Sequence, residues 1–354
     1  MEQRDLDRRR PERTLARRGG GVELLRIPAA FFGAAARARR AAYDHGVLAV
    51  HKVDVPVVCV GNLSTGGTGK TPMCAWVAAE LVRRGARPGL LSRGYGAMGG
   101  TPNEEARLLE RLAPGVPHVQ DPDRVQGAKA LVERGCDAIV LDDGFQHRRL
   151  HRDLDLVLVD ATRPWGLPAP PDGGEPVCAL LPRGLLREPP SSLARAHAVV
   201  LTRAAQAGPG ALERLELEIE RWAPGVPRAR ADHRPSRLFD EHGREHPLAM
   251  LAGREVDLVS GIGNPEAFEL TVAALGARVR THRSFPDHHA YVRADVDGLG
   301  GDAVPLVTTG KDAVKLAALG ARFVAVDVAI AITAGAGVLD ALLDALPLRA
   351  GTHG

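Results

Sequence analysis

Residues Ser64 to Thr71 read Ser-Thr-Gly-Gly-Thr-Gly-Lys-Thr. They lie between the apolar run Val55-Pro-Val-Val-Cys-Val-Gly61 and a helical pattern that starts near Pro72. Strand, glycine loop, lysine, hydroxyl and helix stand in the order that a phosphate cradle requires. Backbone N–H groups can wrap an anion only where no Cβ intervenes, and a helix N-terminus adds roughly half a positive charge. In such a loop Ser64, Thr65, Gly66, Gly67, Thr68, Gly69, Lys70 and Thr71 form the cradle, Lys70 reaches the β/γ-phosphates, and the Thr71 hydroxyl ligates Mg²⁺. Ser64 replaces the first glycine of the strict motif. The flanking strand and helix supply the context that separates a nucleotide site from a glycine-rich turn with a solvated lysine.

That loop demands a parallel α/β sheet behind it, and the rest of the chain supplies one. Continuous apolar runs at 55–61, 88–92, 137–142, 154–160 and 197–202 read as strands buried on both faces, with helices at 70–84, 103–113 and 122–134 between them. The pattern predicts a P-loop NTPase-like, doubly wound, mainly parallel sheet whose ligands sit at the carboxyl ends of its strands. Residues 162–190 are proline-rich and irregular, and a helix follows near 211–222. The stretch 228–247 is polar and broken and reads as a linker. Alternation resumes with strands near 256–261, 304–308 and 322–330 and helices near 264–275, 311–319 and 336–346, a second and smaller α/β unit. The expected organisation is a basic tail and membrane-associating helix (1–50), a phosphate-binding domain (51–227), the linker (228–247) and a smaller α/β domain (248–354).

The N-terminus carries Arg4, Arg8, Arg9, Arg10, Arg13, Arg17 and Arg18, then the apolar segment Ile27 to Ala36, then Arg37, Arg39 and Arg40. The segment falls short of the roughly 20 apolar residues a spanning helix needs. It suits an amphipathic helix lying in a membrane interface, with Phe31 and Phe32 toward the acyl chains and arginines on anionic headgroups. A disordered basic tail, or a helix packed on the domain, would share this composition. A formal net charge of +3 over 354 residues gives no case for nucleic acid, and nothing indicates a protein partner. Cys59, Cys74, Cys136 and Cys178 form no C-x-x-C pair and read as reduced core residues.

The strand ends hold the remaining chemistry. Ser92-Arg-Gly-Tyr-Gly96 offers Arg93 and Tyr95 to a substrate phosphate. Asp142-Asp-Gly-Phe-Gln-His147 follows an apolar strand, and one of its two carboxylates can hold Mg²⁺ as strand-end aspartates do. Neighbouring side chains on a strand face opposite ways, so Asp142 and Asp143 have different tasks unless a turn begins between them. Among the basic residues Arg148, Arg149, Arg183 and Arg187, only Arg187 is singled out for substrate. Phe285-Pro-Asp-His-His289 places carboxylate beside imidazole, suited to acid–base work, to a metal, or to a surface turn.

Together these stretches resemble the tetraacyldisaccharide 4'-kinase family of lipid A biosynthesis. The matching segments are Val60 to Pro72, Ser92 to Gly96, Val140 to Arg149, Leu181 to Pro189, Gly261 to Pro265, Phe285 to His289 and Val307 to Ala313. The resemblance implies an ATP- and Mg²⁺-dependent kinase for the 4'-hydroxyl of a tetraacylated glucosamine disaccharide 1-phosphate. It would work at the cytoplasmic face of the inner membrane as a peripheral or monotopic protein. By the same resemblance Lys70, Glu104, Asp142, Asp143 and His288 are catalytic. Thr71, Asp142 and Glu105 serve the metal, and Arg93, Tyr95, Gln146, His147 and Arg187 serve the lipid. Glu104 stands where the family has the aspartate that works with the loop histidine, here His288. Glu104, Gly310 and the proline-rich 168–176 insertion depart from the family pattern. Another P-loop ATPase or small-molecule kinase, or a nucleotide-dependent switch or assembly protein, would share the phosphate loop.

Overall fold

The computed structural model describes residues 11–94, 104–170 and 173–348. Tyr95, Asn103, the arginines at 4 and 8–10, and part of the 168–176 insertion lie outside them. The chain forms two compact units, one of residues 15–232 and 332–354, the other of residues 1–14 and 233–331.

The larger unit opens with α2 (Arg26–Asp44), after the short α1 (Pro11–Leu15) of the smaller unit. It continues with β1 (Val57–Asn62), α3 (Lys70–Arg83), β2 (Pro88–Ser92), α4 (Glu104–Leu112), β3 (His118–Gln120), α5 (Arg124–Glu133), β4 (Ala138–Asp142), β5 (Leu154–Asp160), β6 (Ala198–Thr202) and α6 (Pro209–Trp222). Its strands pair in parallel in the order β7-β6-β5-β1-β4-β2-β3, where β7 is Arg228–Asp240. Every residue of β1, β4, β5 and β6 is buried, as continuous apolar runs demand, and Val57, Cys59, Ile139, Leu141, Val157 and Val199 belong to one core. After β4 the chain crosses β1 to reach β5, so the order reverses there. The crevice that binds ligands in such sheets opens at the carboxyl ends of β1, β4 and β5.

The expected linker 228–247 is instead strand. Ala229 and Ala231 of β7 point into the core, while the flanking Arg228 and Arg230 are neutralised by Glu220 and Glu216 of α6 at 2.7 and 2.8 Å. A strand whose apolar face is alanine between arginines carries no apolar run. β7 enters the smaller unit, where it pairs antiparallel with β8 (Glu245–His246). There β9 (Glu255–Ser260), α7 (Pro265–Ala273), β10 (Arg278–Ser284), α8 (Arg293–Val296), β11 (Leu306–Thr309), α9 (Gly310–Ala318) and most of β12 (Val324–Ala334) follow. β10, β9, β11 and β12 pair in parallel in that order. The smaller unit does not run to residue 354 as expected. The chain returns to the larger unit with α10 (Ala336–Asp344), where Arg84 forks Asp340 and Asp344 at 2.7 Å each, and Leu339 and Leu343 are buried.

The segment leading into helix α2 and the helix's C-terminal end are each pinned within the larger unit. Arg183, 1% exposed, donates to the Leu15 and Arg17 carbonyls at 2.7 and 3.0 Å and to Glu23 at 2.7 Å. Arg148 donates to Asp44 at 2.6 Å and lies over the Tyr43 ring. Leu24, Ile27 and Phe31 remain well exposed, Phe31 at 74%. No helix among the described residues is long and apolar enough to cross a membrane. Cys59, Cys74 and Cys136 are buried and free, whereas Cys178 is exposed rather than in the core.

Candidate active site

The phosphate loop starts where β1 stops and ends where α3 begins. Gly66 and Gly69 have φ of 135° and 90°, values a side chain disfavours, and Gly69 turns the chain directly into the first turn of α3 at Lys70. Ser64, which replaces a glycine, is buried and bridges Leu186. Thr65 N–H donates to the Leu185 carbonyl at 2.8 Å, so the loop 179–187 braces the cradle from one side. The ends of β5 and β6 brace it from the other. Thr202 Oγ1 donates to the Thr68 carbonyl at 2.9 Å, and Arg203 donates to the Gly67 carbonyl at 3.0 Å and to Asp160.

Beside the loop several charged side chains meet one another. Lys70 Nζ lies 3.7 Å from Asp143 and donates to Asn62 Oδ1 at 3.3 Å. Arg187 grips Asp143 with two donors at 2.6 and 2.8 Å and also donates to Asn62 Oδ1. Burial alone would raise the Asp143 carboxyl, but Lys70 and Arg187 outweigh it and hold the group well below the usual carboxylate range. Asp142 is the opposite case. Burial first, then the charge of Glu105, push it up to about 7 against the pull of Lys70. A turn does begin between the two, since Asp143 has φ of 54°, so the adjacent carboxylates occupy different surroundings.

Asp142 Oδ1 is buried with no hydrogen-bond partner. An orphaned carboxylate oxygen close to a second carboxylate, Glu105, and to the end of the phosphate loop fits a hard divalent cation or its water. No group of three His, Cys, Asp or Glu side chains among the described residues could hold a metal alone. Mg²⁺ keeps several waters and shares phosphate oxygens, so few protein ligands suffice for it.

Of the residues expected at the lipid, Gln146 donates to the Asn62 carbonyl at 2.9 Å and keeps its buried Oε1 unpartnered. His147, its Nε2 buried and unpartnered, is pushed down to about 4 by burial and by the charges of Arg124, Arg39 and Arg152. Arg93 is exposed just past β2, and its charge bears on Arg124. Arg187 stands inside the charge cluster, on Asp143, and Arg149 pairs with Asp123 at 2.8 Å. Glu104 opens α4.

His288 belongs to the smaller unit, in the loop after β10, with φ of 61° and a half-exposed ring. Lys311 of α9 donates to Asp287 at 2.7 Å, and Lys315 donates to the His289 carbonyl at 2.8 Å. His289 stacks on Phe285 and meets Asp295 at 2.9 Å. Burial would raise the Asp287 carboxyl, but Lys311 outweighs it and holds it low. The three non-glycine residues with positive φ among those described are Asp143, Arg203 and His288. Asp143 and Arg203 follow β4 and β6 of the larger unit and His288 lies in a loop of the smaller one, and each holds about 1–3 kcal/mol of the backbone strain that such positions commonly store.

Sequence reasoning passed over Asn62. It is the polar last residue of an otherwise apolar strand, directly before the phosphate loop, and that position was its signal.

The family profile described as Tetraacyldisaccharide-1-P 4'-kinase matches residues 22–347. A Tetraacyldisaccharide 4'-kinase of Anaeromyxobacter dehalogenans is 42% identical over 95% of this chain and 93% of its own. That of Syntrophus aciditrophicus is 35% identical over 83% and 84%. The crystal structure of LpxK from Aquifex aeolicus in complex with ATP superposes with a TM-score of 0.70 at 29% identity, covering 91% of this chain and 98% of that one.

Proposed function

Because the chain belongs to the tetraacyldisaccharide-1-P 4'-kinase family, we infer that it transfers the γ-phosphoryl group of ATP to the 4'-hydroxyl of tetraacyldisaccharide 1-phosphate, making lipid IVA for lipid A biosynthesis. The observation that carries this reading is Lys70, at the mouth of a glycine loop braced on both sides, held among Asn62, Asp143 and Arg187. Phosphoryl transfer needs positioning and charge neutralisation more than covalent chemistry.

Lys70 exchanges its contacts for the β/γ-phosphates when ATP enters. Thr71 and Asp142 hold Mg²⁺, with Glu105 close by, and the ion when bound neutralises charge on the phosphate oxygens. Asp143 keeps Arg187 and Lys70 in place rather than meeting the metal. Glu104 draws the proton from the sugar hydroxyl and His288 serves as an acid–base group on its own loop; Gln146, His147, Arg93 and Tyr95 serve the lipid headgroup. Glu104 keeps the family's charge on a longer arm, and a shift near 1 Å at a reacting centre can cost about a hundredfold in rate.

Transfer of labelled γ-phosphate to the lipid in detergent micelles tests the assignment. Lys70→Ala is expected to lose about a thousandfold in kcat, roughly 4 kcal/mol of transition-state stabilisation. A bisphosphorylated product formed equally well by the variant would sink the role of the loop.

The exposed Ile27, Phe31 and Phe32, with Arg26, Arg37, Arg39 and Arg40 on the same helix, support peripheral attachment to the cytoplasmic face of the inner membrane. Cosedimentation with vesicles containing anionic lipid should fall at least about fivefold for Phe31→Glu. Unchanged cosedimentation would remove α2 from the interface.

A further inference from the structure

We propose that Asn62 is a positioning residue for phosphoryl transfer. Its side-chain carbonyl holds the Lys70 ammonium and the Arg187 guanidinium together against Asp143, and its side-chain N–H ties the phosphate loop down at Thr68. The proposal rests on the kinase reading above.

Asn62 is fully buried at the carboxyl end of β1. A buried amide is costly unless its polar atoms find partners. Here Oδ1 accepts from Lys70 at 3.3 Å and from Arg187, Nδ2 donates to Thr68 Oγ1 at 2.9 Å, and the backbone carbonyl accepts from Gln146 at 2.9 Å and from Arg187 at 3.4 Å. One side chain therefore touches the phosphate loop, the catalytic lysine and the arginine that grips Asp143. Its backbone anchors the loop that carries Gln146.

Charge arithmetic says why this group is an amide. Lys70 and Arg187 bring two positive charges and Asp143 one negative. The neutral oxygen of Asn62 orders both cations without cancelling either. One positive charge is left for the incoming γ-phosphate, in a partly buried site where electrostatic interactions are strong. A carboxylate at position 62 would keep the acceptor and the shape, yet would neutralise the cluster and hold Lys70 away from ATP. A purely structural role makes the reverse prediction, since two adjacent cations would welcome an isosteric anion.

The discriminating variant is Asn62→Asp in the full-length protein. Nucleotide affinity, kcat, KM and thermal unfolding are to be measured beside the wild type. The expected result is a melting temperature at or above wild type, ATP bound about tenfold more weakly, and kcat reduced about tenfold or more. Asn62→Ser shortens the group without adding charge. It should lower kcat about fivefold while leaving ATP affinity within about threefold. In an Arg187→Ala background the loss caused by Asn62→Ser should shrink to less than about half, because residues that act through one another are not additive. Wild-type kcat and affinity in Asn62→Asp would overturn the proposal, as would full additivity of Asn62→Ser with Arg187→Ala. Should the wild type transfer nothing to the lipid, the kinase reading falls by itself. Weakened ATP binding in Asn62→Asp would then still support the positioning role, and unchanged binding would overturn it.

Discussion

The phosphate-loop end of the larger unit and the histidine loop of the smaller one use ion pairs for different ends. In the larger unit the groups proposed for the chemistry are one another's partners: Lys70, Asp143 and Arg187 satisfy each other, with Asn62 between them. In the smaller unit the pairs are scaffolding. Lys311 on Asp287, Asp295 on His289 and Lys315 on the His289 carbonyl immobilise the loop and leave the half-exposed His288 ring presented. A self-paired cluster keeps its charges ordered when no substrate is present, at the cost of contacts that must exchange when one arrives. A scaffolded residue has less to give up, here one long contact of 3.9 Å from the His288 ring to Asp287.

The comparison would break first at His288. If it is a presented acid–base group, His288→Ala should cost about a hundredfold in kcat while ATP binds within about twofold, because Lys70, Asp143, Arg187 and Asn62 are held by contacts among themselves. Weakened ATP binding of the same size as the rate loss would mean that the two regions are not separable in this way.

Lys311→Met attacks the scaffold without touching the presented ring. Removing one partner of a half-buried pair leaves Asp287 uncompensated, so a loss of about 2 kcal/mol in stability and about tenfold in turnover is expected. Calorimetry and steady-state kinetics on the same preparation would check both, and unchanged stability would demote the pair to decoration.

Acid offers the gentlest probe. In the larger unit burial pushes His118, 2.9 Å from Ser92 Oγ, down to about 4, so the folded state disfavours its charged form. Depressed in the fold and near 6.5 when unfolded, this group contributes stability that is present above pH 6.5 and is lost as pH falls toward 4. In the smaller unit the histidine hydrogen bond of His282 instead holds Glu269 low. His118→Gln should flatten the decline in thermal stability between pH 6.5 and 4 by about 1–2 kcal/mol, measured by unfolding across that range. An unaltered slope would place the acid sensitivity elsewhere.

Much of this was legible in the residues because buried parallel strands advertise themselves. β1, β4, β5 and β6 are apolar throughout, and the loop after β1 and the aspartates after β4 sit where strand-end chemistry should. β7 was not legible, since its buried positions are alanines and its arginines are silenced by Glu216 and Glu220, partners remote from them in the pattern. β3 is three half-buried residues with no run to detect. Within the site, Asp142 and Asp143 could be named but not told apart, because their difference is a backbone turn and the presence of Arg187. Asn62 escaped notice because an amide at a strand end signals little until its neighbours in space are known.

The return of the chain to the larger unit sets a timetable for synthesis. Gly335 lies so tightly on β7 that a Cβ there would meet the Arg228 carbonyl at 2.5 Å, and Leu339 and Leu343, worth about 2 kcal/mol each when buried, come from the helix that follows. The unit that holds the phosphate loop, built mostly from residues that precede the smaller unit in the chain, therefore stays incomplete until residues 233–331 have been translated. A nascent chain lacking these residues would hold its nucleotide-binding machinery half-folded. The larger unit is completed in this order only once residues 336–344 have followed the smaller unit.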